Sequence, residues 1–217
     1  MDNIKACIFD LDGVIVDTAH YHFLAWKRLA DELNIKFTEN DNERLKGVSR
    51  LHSMDILLDI GGMKMEPEQR ESLANKKNVW FVEFIEQMKP SDIFPGVRLL
   101  IEELRQNGLK IGLASSSKNA NTVIKLLRIK EMFDVVVDGT MITHSKPDPE
   151  IFLLAAKLLG IPPHHCLVFE DAESGVEAAV AAGMKCIGVG DAYRLKEANL
   201  IVSKTGEFAL ADLHKIQ

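Results

Sequence analysis

The sequence predicts an α/β protein in which helices cover both faces of a mostly parallel sheet, with a helical segment inserted after the first strand. Along most of its 217 residues, short apolar runs alternate with stretches whose apolar residues recur at helical spacing. This order is typical of parallel sheets, because each crossover between parallel strands leaves room for a helix. The stretch 18–90 interrupts the alternation, since it holds several amphipathic helical patterns and no convincing strand.

Strands are predicted where short apolar runs end in polar or turn-forming residues. The first run leads from Ile4 to Phe9 and stops at Asp10-Leu11-Asp12-Gly13, as expected for a buried strand that enters a loop. Later runs repeat this pattern. The predicted strands are 4–9, 109–114, 134–137, 166–170 and 185–189.

Helices are predicted between these runs. Gly108, Gly160 and Gly183 directly follow helical stretches, and glycine readily adopts the left-handed backbone that commonly ends a helix. The predicted helices are 97–106, 119–127, 150–159 and 174–182.

The stretch after the first strand is interpreted as a separate helical unit. Phe23, Trp26, Ala30 and Leu33 repeat at helical spacing, and a long helical pattern follows Pro67. One domain inserted into another also fits a chain length between those of one large domain and two small ones. The predicted domains are a core of residues 1–17 and 91–217 and an inserted segment of residues 18–90.

Composition and charge exclude several classes of protein. The chain is 47% hydrophobic and 27% charged, which is typical of globular proteins and not of disordered, collagen-like or coiled-coil chains. With 26 basic against 32 acidic residues the net charge is −6, so neither nucleic acid nor an anionic membrane is an expected partner. The opening stretch before Asp10 is too short and too acidic for a signal peptide or a membrane span.

The cysteines favour a reducing compartment. Cys7, Cys166 and Cys186 each lie in a short apolar run, and no Cys-x-x-Cys spacing pairs them. They are expected to be buried free thiols. We therefore expect a cytoplasmic protein, and we expect it to act as a monomer.

Acidic residues directly follow the first predicted strand. Asp10 and Asp12 stand two residues apart, at a strand end, which is where open α/β sheets bind ligands. One carboxylate could act as nucleophile and the other as general acid and base. A solvated turn capped by an aspartate is the alternative, because acidic residues are common in turns.

Two further polar groups follow later strands. The loop 115–119 combines hydroxyls, backbone N–H groups at a helix start and one cation, which suits a phosphate, although an ordinary helix cap would use the same residues. Glu170 and Asp171, with an acid from the first strand, offer the oxygen ligands that Mg²⁺ prefers. Lys146, upstream of their strand, could neutralise a phosphoryl group.

These strand-end motifs resemble, in type and in order, those of the haloacid dehalogenase superfamily over essentially the whole chain. The resemblance implies a three-layer, Rossmann-like core, with segment 18–90 as a helical cap that closes over the site and excludes water. The residues that carry it are Ile8-Phe9-Asp10-Leu11-Asp12-Gly13, Ser115, Lys146 and Glu170-Asp171.

The resemblance also implies a role for each of these side chains. Asp10 would attack a phosphoryl group held by Ser115 and Lys146, and Asp12 would then move the proton. Dehalogenases of the superfamily lack an acid at the position of Asp12, whereas its phosphatases and mutases carry one. The implied cofactor is Mg²⁺, with Asp10, the backbone carbonyl of Asp12 and Asp171 as ligands and Glu170 beside the ion.

Within the superfamily, segments 17–26, 45–50, 73–78 and 114–119 resemble those of the β-phosphoglucomutase family. The resemblance implies that His22 helps to position Asp12. The residues implied to grip the phosphate that is not transferred are Arg50, Ser117, Lys118 and Asn119. Those implied to line the sugar side are Trp26, Lys46, Gly47, Val48, Ser49 and Lys77.

Some of these residues have simpler interpretations from spacing alone. Arg50 could be a solvated residue at a helix start, His22 a half-buried helix residue, and Trp26 a core residue. Ser116 departs from the family pattern, which commonly has a small apolar residue there. Its place beside the phosphate loop could shift selectivity.

The resemblance implies a mutase that interconverts β-D-glucose 1-phosphate and glucose 6-phosphate through β-glucose 1,6-bisphosphate. Either end of the bisphosphate must reach Asp10, so a second phosphate site is needed, and the arginine fork of Arg50 suits it. A sugar-phosphate phosphatase differs only in whether water or sugar reaches the phosphorylated Asp10. A non-catalytic phosphosugar-binding protein is a more distant alternative, which the intact Asp10 and Asp12 pair disfavours. The expected partners are therefore small hexose phosphates.

Overall fold

The computed structural model describes residues 4–216. The predicted core also includes residues 1–3 and 217, which lie outside the described residues. Within this part of the chain the strands are β1 (Ala6–Phe9), β2 (Lys110–Ala114), β3 (Val135–Val137), β4 (Cys166–Glu170), β5 (Lys185–Val189) and β6 (Leu200–Val202). They form one sheet with the order β3-β2-β1-β4-β5-β6. The pairing between neighbouring strands is parallel throughout.

Between β1 and β2 the chain forms helices and, within residues 18–90, no strand. Thr38 and Ser49 begin two of these helices because each side chain accepts a hydrogen bond from a backbone N–H of the first turn. Pro67 begins the longest one, at a position where its missing N–H costs nothing. The helices are α1 (Ala19–Glu32), α2 (Glu39–Glu43), α3 (Arg50–Ile60) and α4 (Pro67–Ile85).

The helices after β1 and the insertion alternate with the remaining strands. They are α5 (Val97–Gln106), α6 (Ala120–Leu126), α7 (Glu150–Leu159) and α8 (Glu173–Ala181). Gly108, Gly160 and Gly183 follow α5, α7 and α8 with φ angles of 81°, 69° and 72°. The prediction that a left-handed glycine ends these helices is confirmed.

Both faces of the sheet are packed. Along β1, Cys7 and Phe9 belong to one apolar cluster, and Ala6 and Ile8 belong to another. Successive strand residues point to opposite faces, so the two clusters form the two apolar layers of a sheet covered by helices. The predicted fold class, a mostly parallel α/β sheet with an inserted helical segment, is confirmed. Its predicted domain boundaries at residues 17/18 and 90/91 stay a prediction.

Strand β6 was not predicted. It is a half-buried edge strand that follows β5 with no helix between them among the described residues, so it falls outside the alternation of strands and helices from which the other strands were predicted. β1 begins at Ala6 and not at Ile4, although Lys5 still donates its backbone N–H to the carbonyl of His165 at 2.8 Å. Shifts of one or two residues are usual where a strand frays.

The thiols are buried, as predicted. Cys7, Cys166 and Cys186 are free. Burial raises the pKa of all three thiols, that of Cys166 to about 11. Separately, no helix within residues 4–216 is long and apolar enough to cross a membrane.

Candidate active site

The sheet order brings the predicted site residues to one edge. β1 lies between β2 and β4, so the residues that follow these three strands lie beside one another. They border a cavity of about 280 Å³ beneath the inserted helices. The residues predicted to bind substrate all line it: Trp26, Lys46, Gly47, Val48, Ser49, Arg50, Lys77, Ser115, Ser116, Ser117, Lys118 and Asn119. Asp10, Asp12, His22 and Asp171 line it too.

Lys146 and Glu170 lie behind the cavity wall, and both are 0% exposed. Lys146 Nζ donates to Asp10 Oδ1 at 2.5 Å and to Glu170 Oε1 at 2.7 Å. Burial alone would lower the pKa of Lys146, but the two carboxylates outweigh it and raise that pKa. Lys146 therefore places a permanent positive charge against Asp10.

Asp10 and Asp12 lie in the same turn but titrate differently. Burial and the charge of Glu170 raise the pKa of Asp10 to about 6, against the opposing effect of Lys146. Burial and the charge of Asp10 raise the pKa of Asp12 to about 8. The backbone N–H of Asp12 donates to Asp10 Oδ2 at 2.9 Å, and the Thr18 hydroxyl donates to the Asp12 carboxylate. Near neutral pH, Asp10 is mainly a carboxylate while Asp12 can hold or release a proton.

A group of carboxylates near Asp10 fits a divalent cation. Side-chain oxygens of Asp10, Glu170 and Asp171 lie within 4.8 Å of one another. Two glycines make room for them, since a Cβ at Gly13 would lie 2.1 Å from Asp171 Oδ2 and one at Gly175 would lie 1.5 Å from Glu170 Oε1. Burial and the neighbouring carboxylates raise the pKa of Asp171 well above its usual value. Oxygen ligands carrying excess negative charge are the donor set that Mg²⁺ takes.

The loop 115–119 is held in shape by its own serines. Ser115 Oγ accepts a hydrogen bond from the backbone N–H of Ser117 at 3.2 Å, and Ser117 Oγ accepts one from that of Asn119 at 3.2 Å. Gly139, after β3, packs so closely that a Cβ there would lie 2.2 Å from the carbonyl oxygen of Ser116. The Ser116 hydroxyl is buried and has no hydrogen-bond partner among the described residues. Hydrogen bonds and close packing therefore hold this loop in place at the cavity, and the Ser116 hydroxyl remains available for a hydrogen bond.

Lys77 and His22 form a buried pair on the inserted side. Lys77 is 2% exposed, its Nζ lies 2.8 Å from His22 Nδ1, and it sits 4.6 Å from the centre of the Trp26 ring. Burial lowers the pKa of Lys77 and of His22 well below their usual values, and the nearby cations lower them further. Trp26 is 2% exposed and belongs to the main apolar core, although it also lines the cavity.

The structure shows contacts of His22 with residues other than Asp12, and the prediction that His22 helps to position Asp12 stays a prediction. His22 contacts Lys77 and stacks on Phe81 at 3.9 Å between ring centres, whereas Thr18 contacts Asp12. Thr18 was not predicted as a site residue. Nothing in its spacing from Asp12 distinguishes it from an ordinary residue before a helix.

Arg50 and Lys46 lie at the two ends of the loop that enters α3. Arg50 Nη1 donates to Asn75 Oδ1 at 3.1 Å, and burial lowers the pKa of its guanidinium. Lys46 Nζ lies 3.1 Å from Glu43 Oε1 and 3.7 Å from Asp171 Oδ2. Burial alone would lower the pKa of Lys46, but Asp171 and Glu43 raise it. The inserted segment thus brings two cations to a cavity whose opposite wall is acidic.

Helix α4 adds two polar residues that the sequence analysis did not assign. Asn75 and Asn78 stand three residues apart and so share a helix face. Asn78 Oδ1 accepts a hydrogen bond from Asn119 Nδ2 at 2.7 Å, which joins the inserted segment to the phosphate loop. Asn119 makes no side-chain bond to α6, so its side chain is not a helix cap. Most residues of α4 before Val79 are polar, so no spacing in the sequence distinguishes this pair from its neighbours.

Comparisons with known proteins agree with this geometry. Residues 4–183 match the model of the haloacid dehalogenase-like hydrolase family. The chain is 44% identical over 214 residues to β-phosphoglucomutase of Bacillus subtilis, covering 98% of this chain and 95% of that protein. It is 36% identical over 188 residues to a phosphorylated carbohydrates phosphatase of Thermotoga maritima, covering 85% and 84%. A crystal structure of β-phosphoglucomutase from Clostridium difficile matches with a TM-score of 0.94 at 41% identity, covering 98% of this chain and 96% of that one.

Proposed function

The chain belongs to the haloacid dehalogenase-like hydrolase family, and from this premise we propose that it interconverts β-D-glucose 1-phosphate and glucose 6-phosphate. The reaction runs through β-glucose 1,6-bisphosphate. One observation carries the proposal: the Asp10 and Asp12 pair shares a single cavity with Arg50 and Lys118, two cationic side chains suited to a second phosphate. A mutase needs both, because each end of a bisphosphate must in turn reach the nucleophile.

Asp10 is the proposed nucleophile. A carboxylate oxygen of Asp10 attacks the phosphorus, the bond from phosphorus to the leaving oxygen breaks, and an aspartyl phosphate results. Lys146, 2.5 Å from Asp10, holds the carboxylate in place and balances the charge of the incoming phosphoryl oxygens. Ser115, directly after β2, binds the same phosphoryl group.

Asp12 is the proposed general acid and base. It protonates the leaving sugar oxygen when Asp10 is phosphorylated, and it takes a proton from the acceptor hydroxyl when the phosphoryl group returns. A pKa of about 8 suits both directions, because neither protonation state of Asp12 is then rare near neutral pH. The Thr18 hydroxyl keeps the carboxylate oriented.

The other phosphate and the sugar are bound mainly from the inserted side. We assign the phosphate that is not transferred to Arg50, Ser117, Lys118 and Asn119. We assign the sugar to Trp26, Lys46, Gly47, Val48, Ser49 and Lys77, with Ser116 beside the transferring phosphate. His22 contacts Lys77 and, through this side chain, helps to position Asp12.

We propose Mg²⁺ as the cofactor. Asp10, the backbone carbonyl of Asp12 and Asp171 would hold it, with Glu170 beside them, and it would supply positive charge where phosphoryl oxygens gather. The fit rests on the close group of carboxylate oxygens and on the glycines that make room for them.

The domain arrangement, compartment and oligomeric state are parts of the same proposal. Residues 18–90 act as a cap over a core of residues 1–17 and 91–217, and cap closure excludes water from the aspartyl phosphate. The enzyme works as a cytoplasmic monomer on free hexose phosphates.

A sugar-phosphate phosphatase is the second candidate. The relative from Thermotoga maritima is a phosphorylated carbohydrates phosphatase, and it shares 36% identity with this chain. The same residues serve hydrolysis if water, and not a sugar hydroxyl, reaches the aspartyl phosphate.

A coupled assay of β-glucose 1-phosphate with Mg²⁺, with and without the bisphosphate as primer, tests the proposal. We expect glucose 6-phosphate to form far faster than inorganic phosphate is released, and to depend on the primer. Release of phosphate with no glucose 6-phosphate would overturn the mutase proposal in favour of the phosphatase.

A further inference from the structure

An ion pair connects the inserted segment to the core outside the cavity. Arg194 Nη1 lies against Glu43 Oε2, although the two residues are 151 positions apart in sequence. Glu43 is the last residue of α2, and Arg194 lies in the turn after β5. Neither residue lines the cavity or takes part in the chemistry proposed above.

Arg194 projects from an anchored turn. The backbone N–H of Arg194 donates to the carbonyl oxygen of Asp191 at 3.2 Å, and that of Leu195 donates to the same oxygen at 3.1 Å. Leu195 is buried in the core beneath this turn. The guanidinium is therefore presented from a fixed point of the core, which makes it a suitable contact for a segment that moves.

Glu43 connects this surface pair to the active site. Its second carboxylate oxygen lies 3.1 Å from Lys46 Nζ, and Lys46 Nζ lies 3.7 Å from Asp171 Oδ2. A carboxylate at the last position of a helix is disfavoured by the helix dipole, so α2 itself gains nothing from Glu43. The carboxylate of Glu43 is stabilised instead by the two neighbouring cations, Lys46 and Arg194.

The sheet order sets this pair apart from another side-chain contact between the inserted segment and the core. Asn78 meets Asn119 beyond the end of β2, on one side of β1. Arg194 meets Glu43 beyond the end of β5, on the other side of β1. The inserted segment is thus held to the core on both flanks of the nucleophile.

We propose that Arg194 and Glu43 are positioning residues that hold the inserted segment closed on the β5 side and keep Lys46 beside Asp171. That they serve a mutase rests on the function proposed above. Loosening the pair lets the segment open on one side. Water then gains access to the aspartyl phosphate, and the rate of hydrolysis increases relative to the rate of phosphoryl transfer to the sugar.

The first test measures closure without any substrate. Spin labels are placed at V79C on α4 and L99C on α5, where the native side chains are 56% and 71% exposed, and the native cysteines are buried. Electron-spin distance measurements then compare the labelled parent with R194Q and E43Q. We expect the population at longer distances to grow by about twofold to fivefold in either variant. Unchanged distance distributions would overturn the proposal whatever reaction the enzyme catalyses.

R105Q is the matched control. Arg105 pairs with Asp134 inside the core, and the side-chain exposures of that pair, 40% and 35%, are close to the 42% and 32% of the Arg194 and Glu43 pair. R105Q removes a surface ion pair of similar exposure, together with the hydrogen bond from Arg105 to the Met132 carbonyl, and neither contact spans the two parts. Its distance distribution should equal that of the parent.

The second test measures coupling during turnover. R194Q, E43Q and the double variant R194Q/E43Q are compared for kcat/KM with β-glucose 1-phosphate and for phosphate released per glucose 6-phosphate formed. We expect each single variant to lose about twofold to fivefold in kcat/KM and to release proportionally more phosphate. The double variant should lose less than the product of the single losses, and R194K should retain parental values.

Three results would contradict this part of the proposal: multiplicative losses in the double variant, an unchanged product ratio, or R194K behaving like R194Q. High salt gives a further check, because screening should bring the parent towards R194Q while leaving R194Q itself unchanged. If the parent makes no glucose 6-phosphate, the proposed function fails, while the distance measurement still decides whether the pair closes the segment.

Discussion

The sheet core and the inserted segment contribute to the cavity in different ways. Asp10 and Glu170 are buried at the ends of β1 and β4, and Lys146, buried in the loop before α7, donates a hydrogen bond to each, so the three form one rigid charged cluster. The inserted groups Arg50 and Lys46 stand at a helix start and in a loop, partly exposed. In the proposed function, bond breaking is assigned to this hydrogen-bonded core cluster, whereas recognition is assigned mainly to side chains of the inserted segment. Substitutions in the core and in the inserted segment should therefore impair different steps.

Asp10→Asn removes the core contribution and has the largest expected effect. Both mutase turnover and hydrolysis of p-nitrophenyl phosphate should fall by about 10⁴-fold or more, because the side chain no longer supplies a nucleophilic oxygen. Steady-state assays with both substrates, on protein shown to be folded by its thermal unfolding, check this. Transfer of ³²P to the variant from a labelled substrate would contradict the assignment.

Arg50→Ala should distinguish the contribution of the inserted segment from that of the core most clearly. It removes charge-assisted hydrogen bonds to the phosphate that is not transferred, so mutase kcat/KM should fall by about 10-fold to 100-fold. Hydrolysis of p-nitrophenyl phosphate, which has no second phosphate, should stay within about twofold. Arg44→Ala is the control, since Arg44 is on the same segment but outside the cavity and largely exposed. Equal losses in both assays would refute the role of Arg50.

Asp12→Asn tests how much the ionisation of the buried Asp12 carboxyl lowers the stability of the folded protein. The pKa of Asp12 is raised from 3.8 to about 8, so the folded state binds this proton more tightly and loses stability as pH rises through that window. The variant cannot ionise there. In buffer containing a metal chelator, its melting temperature should exceed that of the parent, by more at pH 8 than at pH 5.

Asp17→Asn is the control for this pH dependence, because Asp17 is exposed just beyond the same turn. It should follow the parent at both pH values. A constant difference between Asp12→Asn and the parent across the pH range would show that ionisation of Asp12 carries no such penalty.

Ser116→Ala should have the smallest effect. Its buried hydroxyl has no partner among the described residues, so its removal should leave stability unchanged or raise it by about 1 kcal/mol. Ser117→Ala provides the contrast, since Ser117 Oγ accepts a hydrogen bond from Asn119, and it should lose about 0.5–1.5 kcal/mol. Urea unfolding of both variants without ligand measures this. A loss in Ser116→Ala as large as that in Ser117→Ala would mean that the hydroxyl is paired.

The core was predictable because its signals are local. Each long buried strand is a continuous apolar run that ends in a polar turn, and the glycines after the helices mark where those helices end. The strand-end rule then places Asp10, Ser115 and Glu170 together without any knowledge of contacts. The edge strand β6 was missed because it follows β5 without an intervening helix, and so does not continue the alternation that indicated the other strands.

The contacts between the two regions could not be predicted, because they join residues that are distant in sequence. Asn78 and Asn119 are 41 positions apart, and Glu43 and Arg194 are 151 apart. Only packing brings such side chains together. The contact of Thr18 with Asp12 is local, but it depends on how α1 begins, and no spacing rule distinguishes it. The proposed positioning residues Thr18, Glu43 and Arg194 therefore became visible only in the structure, whereas the sequence already indicated the proposed reacting residues.

The buried thiols give this protein a chemical probe of how often its core opens. Cys7, Cys166 and Cys186 are free, buried and of raised pKa, so alkylating reagents cannot react with them while the sheet is packed. Alkylation therefore proceeds only through open states, and its rate at low reagent concentration reports their population. Cys7 lies in the central strand and Cys186 in β5, so mass spectrometry can follow the two positions separately and show whether the sheet opens as one unit or from one side.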